Sequence, residues 1–418
     1  MLLKPLLLNS YDTAGGAAIA TNRLHRGFLS VGVDSRLLVM HQSSGDPSVI
    51  MPDARNLLQK IYAYIPAHLD ERITRQLHAS GAGLFSPARR PDQLAAHIRK
   101  LNPDLIHLFW INSGFVQIES LKRFNKPIVW TLHDMWPFTG GCHYDNECRM
   151  FQKMCGSCPA LASNNERDLS RQIWKRKFSA WKDIPIVVVA TSRWIAEMAQ
   201  SSSLFKERRI EVIPNGIDTQ KYKPLDKTTA RAAFNLPVDK KLLLFTAFGA
   251  TTDRRKGNHF LEAALKRLSW EGWSERIELV VVGASPYETP PDLGMKVHFL
   301  GNMQDEVSQV LLYSAADATI APSMQENLSN AVMESLSCGT PVIAFDIGGM
   351  PDMISHLENG YLARHFVADE LAEGIKWVLE SGSRHERLSR GARQTVLDRF
   401  DVTAVAHRYL SLYQTLIH

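Results

Sequence analysis

Short apolar runs, repeated in two sets with longer segments of helical period between them, restrict this chain to a small group of folds. PLLLNS, SRLLVM, DLIHLFW, PIVWTLH and PIVVVATS lie in the first half, and KLLLFTAFG, IELVVVGAS, KVHFLG, ADATIAPS and TPVIAFD in the second. Most are near-continuous hydrophobic stretches, the pattern of strands covered on both faces in a parallel sheet. The helical segments between them have the length such a sheet needs for its crossovers. A chain of 418 residues also exceeds what one hydrophobic core normally supports. The fold class expected is therefore α/β, with two doubly wound Rossmann-like domains facing a central cleft, where the carboxyl ends of both sheets would meet a ligand. The Pro-Asn-Gly turn and Pro224 in VIPNGIDTQKYKPLD can continue neither helix nor strand. This places an N-terminal domain at 1–212, a linker at 213–226 and a C-terminal domain at 227–398. In 399–418, Val402, Val405, Tyr409, Leu412, Tyr413 and Leu416 share one helical face, so a terminal helix is expected to pack back on the N-terminal domain.

No apolar run approaches the ~18–20 residues of a membrane span. The opening MLLKPLLLNSYDTAGG runs into a glycine-rich turn without a small-residue cleavage site, and is expected to be a first buried strand in a cytoplasmic protein. A net charge of +5 and a pI near 8.9 favour acidic ligands or an anionic lipid surface and do not point to nucleic acid. Residues 55–90 mix aromatic and aliphatic positions with Arg and Lys. They read equally as a peripheral contact with the inner face of the membrane and as a helical pair packed on the first domain.

Three stretches carry chemistry. Gly15 and Gly16 follow the first strand where a helix begins, so backbone N–H groups there can meet an anion or a polar sugar. The spacing is not the GxGxxG of a nicotinamide site. Arg254, Arg255, Lys256 and Gly257 stand at a second strand-to-helix corner, where cations and a helix start suit a diphosphate. In PSMQENLSNAVMESLSCGTPVIAFDIGGMPDMI, Glu326 and Glu334 are separated by seven residues. On a helix expected from about Asn327 to Cys338, that spacing turns both carboxylates to nearly the same face, where each can accept hydrogen bonds from hydroxyls of one extended ligand such as a sugar nucleotide.

That segment, with IPNGID at the linker and GGAA after the first strand, resembles the retaining family 4 glycosyltransferases of the GT-B fold over nearly the whole chain. WTLHDMWPFTGGCHYDNECRMFQKMCGSCPAL further resembles the bacterial colanic-acid and exopolysaccharide subgroup. The resemblance implies transfer of a hexose from a UDP- or GDP-sugar to a growing, lipid-linked oligosaccharide, with retained configuration and no metal required for the chemical step. It assigns Glu326 to the donor sugar hydroxyls, Asn327 and Leu328 to the backbone beside sugar and phosphates, and Glu334 to the ribose. His133 falls beside the transferred sugar, Gly15 and Gly16 near the donor phosphate and acceptor, and Lys256 with Arg255 or Arg254 at the leaving diphosphate. One departure stands out: many relatives carry an arginine after the glycine of the second-domain phosphate loop, where this chain has Ala250 after Gly249. A nucleotide-sugar epimerase, a phosphorylase and a catalytically silent sugar-nucleotide-binding module are the rival classes.

Cys142, Cys148, Cys155 and Cys158 crowd one loop that ends in CxxC. Structural zinc on four soft ligands, a reversible disulfide at Cys155 and Cys158, and plain reduced thiols are the three readings. His143 reads either as a substitute ligand or as a surface histidine. The loop follows His133 closely and is expected to border the acceptor side.

Overall fold

The structure is a computed structural model, and it describes residues 3–52, 83–246, 253–283, 292–303 and 305–417. The chain divides into two compact units, Met1–Pro214 with Val405–His418, and Asn215–Ala404.

The first unit is built on seven parallel strands: β1 (Pro5–Tyr11), β2 (Arg36–His41), β3 (Val49–Ile50), β4 (Leu105–Leu108), β5 (Ile128–Leu132), β6 (Ile186–Ala190) and β7 (Ile210–Val212). Their order is β3-β2-β1-β4-β5-β6-β7, so the winding direction reverses between β1 and β4. Every residue of β4, β5 and β6 is buried, as the unbroken apolar runs require of central strands covered on both faces. The second unit repeats the plan with β8 (Lys241–Thr246), β9 (Ile277–Val282), β10 (Val297–Phe299), β11 (Ala318–Ala321), β12 (Val342–Phe345) and β13 (Gly360–Ala363). There the order is β10-β9-β8-β11-β12-β13, and the reversal falls between β8 and β11. In doubly wound sheets the loops at the carboxyl end of such a reversal diverge and leave room for a ligand. The turn holding Gly15 follows β1, and the segments holding Lys256 and Glu326 follow β8 and β11.

The segment 213–226 packs rather than spans: Ile217 and Tyr222 are fully buried in the core of the second unit, and the units part at Pro214 and Asn215. Residues up to Ala404 stay with the second unit, so the first unit regains the chain at Val405 and not at 399. Within the terminal helix Val402–Ile417, the side chains of Val405, Ala406, Tyr409, Leu412 and Tyr413 are buried among Leu7, Leu24, Phe28 and Val129 of the first unit. The tyrosine hydroxyls need partners there and find them. Tyr413 Oη meets His107 Nδ1, Tyr409 Oη lies 2.9 Å from Thr131 Oγ1, and His107 Nε2 lies 2.7 Å from the same Thr131 hydroxyl. Burial holds the His107 pKa well below its ordinary value. His25, set between the hydroxyls of Ser35 and Ser48, is pushed down to about 4 by burial.

Tyr413→Ala removes a buried ring and leaves His107 Nδ1 without its partner, and is expected to lower the stability of the first unit by about 3–5 kcal/mol, measured as the shift of its urea transition. Because His25 is neutral when buried, the unfolded chain binds more protons between about 4 and 6.5. The stability this histidine contributes is complete above its unfolded pKa and is lost as pH falls toward 4. The unfolding midpoint of the first unit should therefore drop through this window, and drop less steeply in His25→Gln.

Candidate active site

In the second unit, three loops converge at the reversal of the sheet. After β8, the Asp253 carboxylate accepts the Arg255 N–H and caps one tight turn, Arg254–Lys256, which leads through Gly257 into the helix Asn258–Trp270. After β11, the Met324 N–H donates to the Arg255 carbonyl at 2.7 Å. Gly257 has φ +72°, and a Cβ on it would stand 1.8 Å from the Pro322 carbonyl oxygen, so only glycine admits this approach. The turn then delivers Lys256 Nζ to 2.8 Å from Glu326 Oε2, with side chains 24% and 15% exposed. The third loop, after β12, closes behind Glu326. Gly349 N–H donates to the Glu326 carbonyl at 3.1 Å, and a Cβ on Gly348 would lie 2.0 Å from that oxygen. The Gly-Gly of DIGGMP is thus what lets this loop seat Glu326.

The helix expected from Asn327 begins at Asn330, because the Ser329 hydroxyl accepts the Val332 N–H and caps it there. Glu326 is therefore off the helix, and the expectation that it shares a helical face with Glu334 is corrected. Asn327 and Leu328 are buried in the loop. Glu334 is on the helix but only 5% exposed, where it accepts the Tyr313 hydroxyl at 2.9 Å. Burial and this carboxylate raise the Tyr313 pKa well above its ordinary value. Arg255 turns its guanidinium onto Asp253, at 2.6 Å from Nη2 to Oδ2, and Arg254 is exposed. Gly249 and Ala250 lie outside the described residues, as does 55–82 of the stretch read for membrane contact. No described helix is long and apolar enough to cross a membrane.

In the first unit, Gly15 has φ +90° and immediately precedes the helix Gly16–Ser30, with both glycines exposed. His133 follows β5, and its ring stacks on Phe109 at 5.8 Å between centroids. Its Nε2 is buried with no hydrogen-bond partner among the described residues. Burial lowers its pKa to about 4, leaving a neutral imidazole at neutral pH.

The residue after it organises a network that the sequence did not single out. The Asp134 carboxylate accepts the Trp136 N–H and Trp110 Nε1–H, each at 2.9 Å, and pairs with His143 Nδ1 at 2.5 Å. His143 Nε2 in turn meets the Ser86 hydroxyl at 2.8 Å. Those charges and hydrogen bonds hold Asp134 below the usual carboxylate range, although burial opposes them.

The cysteine loop then docks on the helix Leu169–Trp181. Asp168 accepts the Cys158 N–H at 2.8 Å and caps the helix by accepting the Arg171 N–H. Ser170 Oγ accepts the Gly156 N–H, and Arg171 donates twice to the Cys155 carbonyl. Cys142, Cys155 and Cys158 are buried and Cys148 is half-buried, all as free thiols. Burial pushes the Cys155 thiol up to about 12 and raises the other three. Among the described residues, no three His, Cys, Asp or Glu side chains are arranged as they stand to hold a metal ion. Lys177 lies fully buried beside the loop, donating to the carbonyls of Trp136 and Thr139, and burial lowers its pKa to about 7. The sequence carried a sign of it, since Lys177 falls on the same helical face as Ile173, Trp174 and Trp181.

Known proteins align with both units. Residues 14–221 match the family described as Glycosyltransferase Family 4, and residues 226–395 match Glycosyl transferases group 1. The D-inositol 3-phosphate glycosyltransferase of Mycobacterium tuberculosis (strain F11) is 30% identical over 405 residues, covering 93% of this chain and 76% of its own length. Alignments with proteins of the same name are shorter in two other organisms. The chain spans about half, 49%, of the one from Geodermatophilus obscurus and 62% of the one from Acidothermus cellulolyticus. Among solved structures, sucrose-phosphate synthase from Thermosynechococcus elongatus superposes with a TM-score of 0.70 at 22% identity, covering 99% of each chain. Anabaena HepE in complex with UDP-glucose superposes with a TM-score of 0.68 at 17% identity, covering 99% of this chain and 100% of that one. At such identities the structures show the fold alone, which is the GT-B class with its two Rossmann-like domains. From the two matched domains and the mycobacterial relative together, the chain belongs to the group 1 and family 4 glycosyltransferases.

Proposed function

We propose that this protein is a retaining hexosyltransferase that moves a sugar from a nucleoside diphosphate donor to a saccharide acceptor. The observation that carries the reading is the Lys256–Glu326 pair, set where the sheet of the second unit reverses and the loops after β8, β11 and β12 meet. A diphosphate offers oxygens to Lys256 and a hexose offers hydroxyls to Glu326, so a sugar nucleotide supplies each charge with the partner that the other supplies without it. Anabaena HepE, which shares the fold, has been solved in complex with UDP-glucose, and this supports a uridine donor.

In the proposed step the bond between the anomeric carbon and the donor phosphate oxygen breaks, and a bond from that carbon to the acceptor oxygen forms on the same face. The acceptor proton passes to the departing phosphate. Lys256, Arg255 once released from Asp253, and the start of the helix Asn258–Trp270 stabilise the charge that develops on the diphosphate. Glu326 holds the sugar hydroxyls and takes no part as an acid or a nucleophile. Two acids flanking the broken bond, as retaining hydrolysis uses them, are not required. Asn327 and Leu328 are assigned to backbone contacts beside the phosphates; in the first unit, His133 is assigned to a hydroxyl of the transferred sugar, and Gly15 and Gly16 to the donor phosphate and acceptor. Glu334, on the helix Asn330–Ser337, is assigned to the ribose. The likeness of residues 130–161 to the exopolysaccharide subgroup supports an acceptor carried on a lipid at the inner membrane face.

A thermal-shift panel of UDP-, GDP- and ADP-sugars tests the donor class, since a ligand at 100 times its Kd stabilises by about 2.7 kcal/mol. Stabilisation by none of them overturns the reading, as does a donor sugar that is epimerised and not transferred. Glu326→Ala should abolish transfer, followed as nucleoside diphosphate release with acceptor, while leaving the Kd for UDP within about twofold. Turnover close to that of the unaltered protein would refute the assignment. Glu334→Gln keeps the shape of the side chain and a partner for Tyr313, and should weaken UDP binding by about 1.5–3 kcal/mol, read by calorimetry. An unchanged Kd would remove Glu334 from the ribose.

A further inference from the structure

We propose that Cys142, Cys148, Cys155 and Cys158 of the first unit together bind one structural zinc ion. All four line a single cavity of about 10 Å3, room for roughly one water-sized occupant and no more. Asp145 also faces it, but one of its carboxylate oxygens already accepts the Arg149 N–H. The remaining lining includes Met150 and Phe151, and its hydroxyl, on Ser170, is taken up by the Gly156 N–H and by Asp168 Oδ1. Soft thiolates in such a set select zinc over magnesium or calcium.

The backbone around the sulfurs is held from outside: Asp168 accepts the Cys158 N–H at 2.8 Å, Ser170 Oγ accepts the Gly156 N–H at 2.9 Å, and the Cys155 N–H donates to the Met150 carbonyl at 3.0 Å. The surrounding charge fits as well. Zinc with four thiolates carries a net charge of −2, and the Arg171 guanidinium stands beside it on the Cys155 carbonyl, with the Lys177 amine buried nearby on the carbonyls of Trp136 and Thr139. Among the described residues no carboxylate forms an ion pair with Lys177.

Binding exchanges four S–H protons, released to solvent, for one Zn2+, and no oxidant or reductant takes part. As they stand the side chains do not form a ligand set, so binding requires them to turn about their side-chain torsions until Zn–S distances of ~2.3 Å are met. The loop has reason to need such a fastening. Asn146, Glu147, Arg149, Cys155 and Ser157 all hold positive φ without being glycine, a conformation that an isolated loop would leave. Through His143 and Asp134 the same loop braces the residue next to His133.

The test reads metal, not transfer, so its outcome is separate from that of the donor assignment. Full-length protein from zinc-supplemented medium, washed free of loose metal, should carry about one zinc per chain by elemental analysis. The double variant Cys155→Ser with Cys158→Ser should lose at least about tenfold of it. Cys338→Ala, in the second unit, should keep all of it. Should the double variant misfold, the unaltered protein still decides: refilled with cobalt after chelation, it should show the sulfur-to-metal charge-transfer and visible bands of a tetrahedral thiolate site. A metal-free protein, a cobalt spectrum without thiolate bands, equal zinc in the double variant and in Cys338→Ala, or disulfides among these four cysteines would each overturn the proposal.

Discussion

An ammonium and a carboxylate withdrawn from bulk water each need compensation, and the pairing of Lys256 with Glu326 at 2.8 Å supplies both at once. Neither residue would hold its place alone. The pair forms only because two glycines let three loops touch backbone to backbone, Gly257 against the Pro322 carbonyl and Gly348 against that of Glu326. Side chains at either position would force the loops apart and leave a half-buried charge without a partner. The glycines far apart in sequence therefore act on one electrostatic contact, and that contact sets the chemistry open to the second unit. A ligand that enters must satisfy both charges in its own right, which favours molecules with anionic and hydroxyl groups close together.

The first unit meets the same requirement with longer connections. After β5 the chain runs through irregular loops to the helix Leu169–Trp181, and irregular backbone can be buried only if its polar groups find partners. Asp134 takes three donors and Asp168 takes the N–H of Cys158 and of Arg171, so two carboxylates anchor the beginning and the end of the loop. Between them lie the four thiols and a buried lysine. His133 sits at the fixed end of this arrangement, which explains how a strand terminus can present an imidazole nitrogen in a constant position.

Much of this was legible in the residues, and the exceptions have physical causes. All ten apolar runs became strands, because a parallel strand covered on both faces has little choice but to be hydrophobic throughout. The strands that went unread were β3 with two residues, β7 with half-exposed and exposed ones, and β13, which opens on a glycine. All three lie at sheet edges, where burial is incomplete, and of the edge strands only β10 left a run to read. Pairing of Glu326 with Lys256 was not foreseen, since spacing along a helix says nothing of a contact made across 70 residues. Ser329 could have corrected the helix start, as serine is a favoured cap. Asp134 was not singled out, and His143, read as a spare metal ligand or a surface histidine, is buried on Asp134 instead, a pairing that arises only when the loop folds back.

The return of the chain to the first unit through Val405–His418 has a consequence for the order of its assembly. Tyr409 and Tyr413 fill the core beside Phe28 and satisfy Thr131 and His107, yet the ribosome makes them only after the whole of Asn215–Ala404. At ~5–20 residues per second that delay is roughly 10–40 s. During it, the second unit has its complete sequence and is free to close, while the first waits with an open apolar face and a buried histidine lacking its hydroxyl. The unit begun first is thus the unit finished last, and the nascent chain's period of greatest exposure to chaperones and proteases falls on the sheet made earliest.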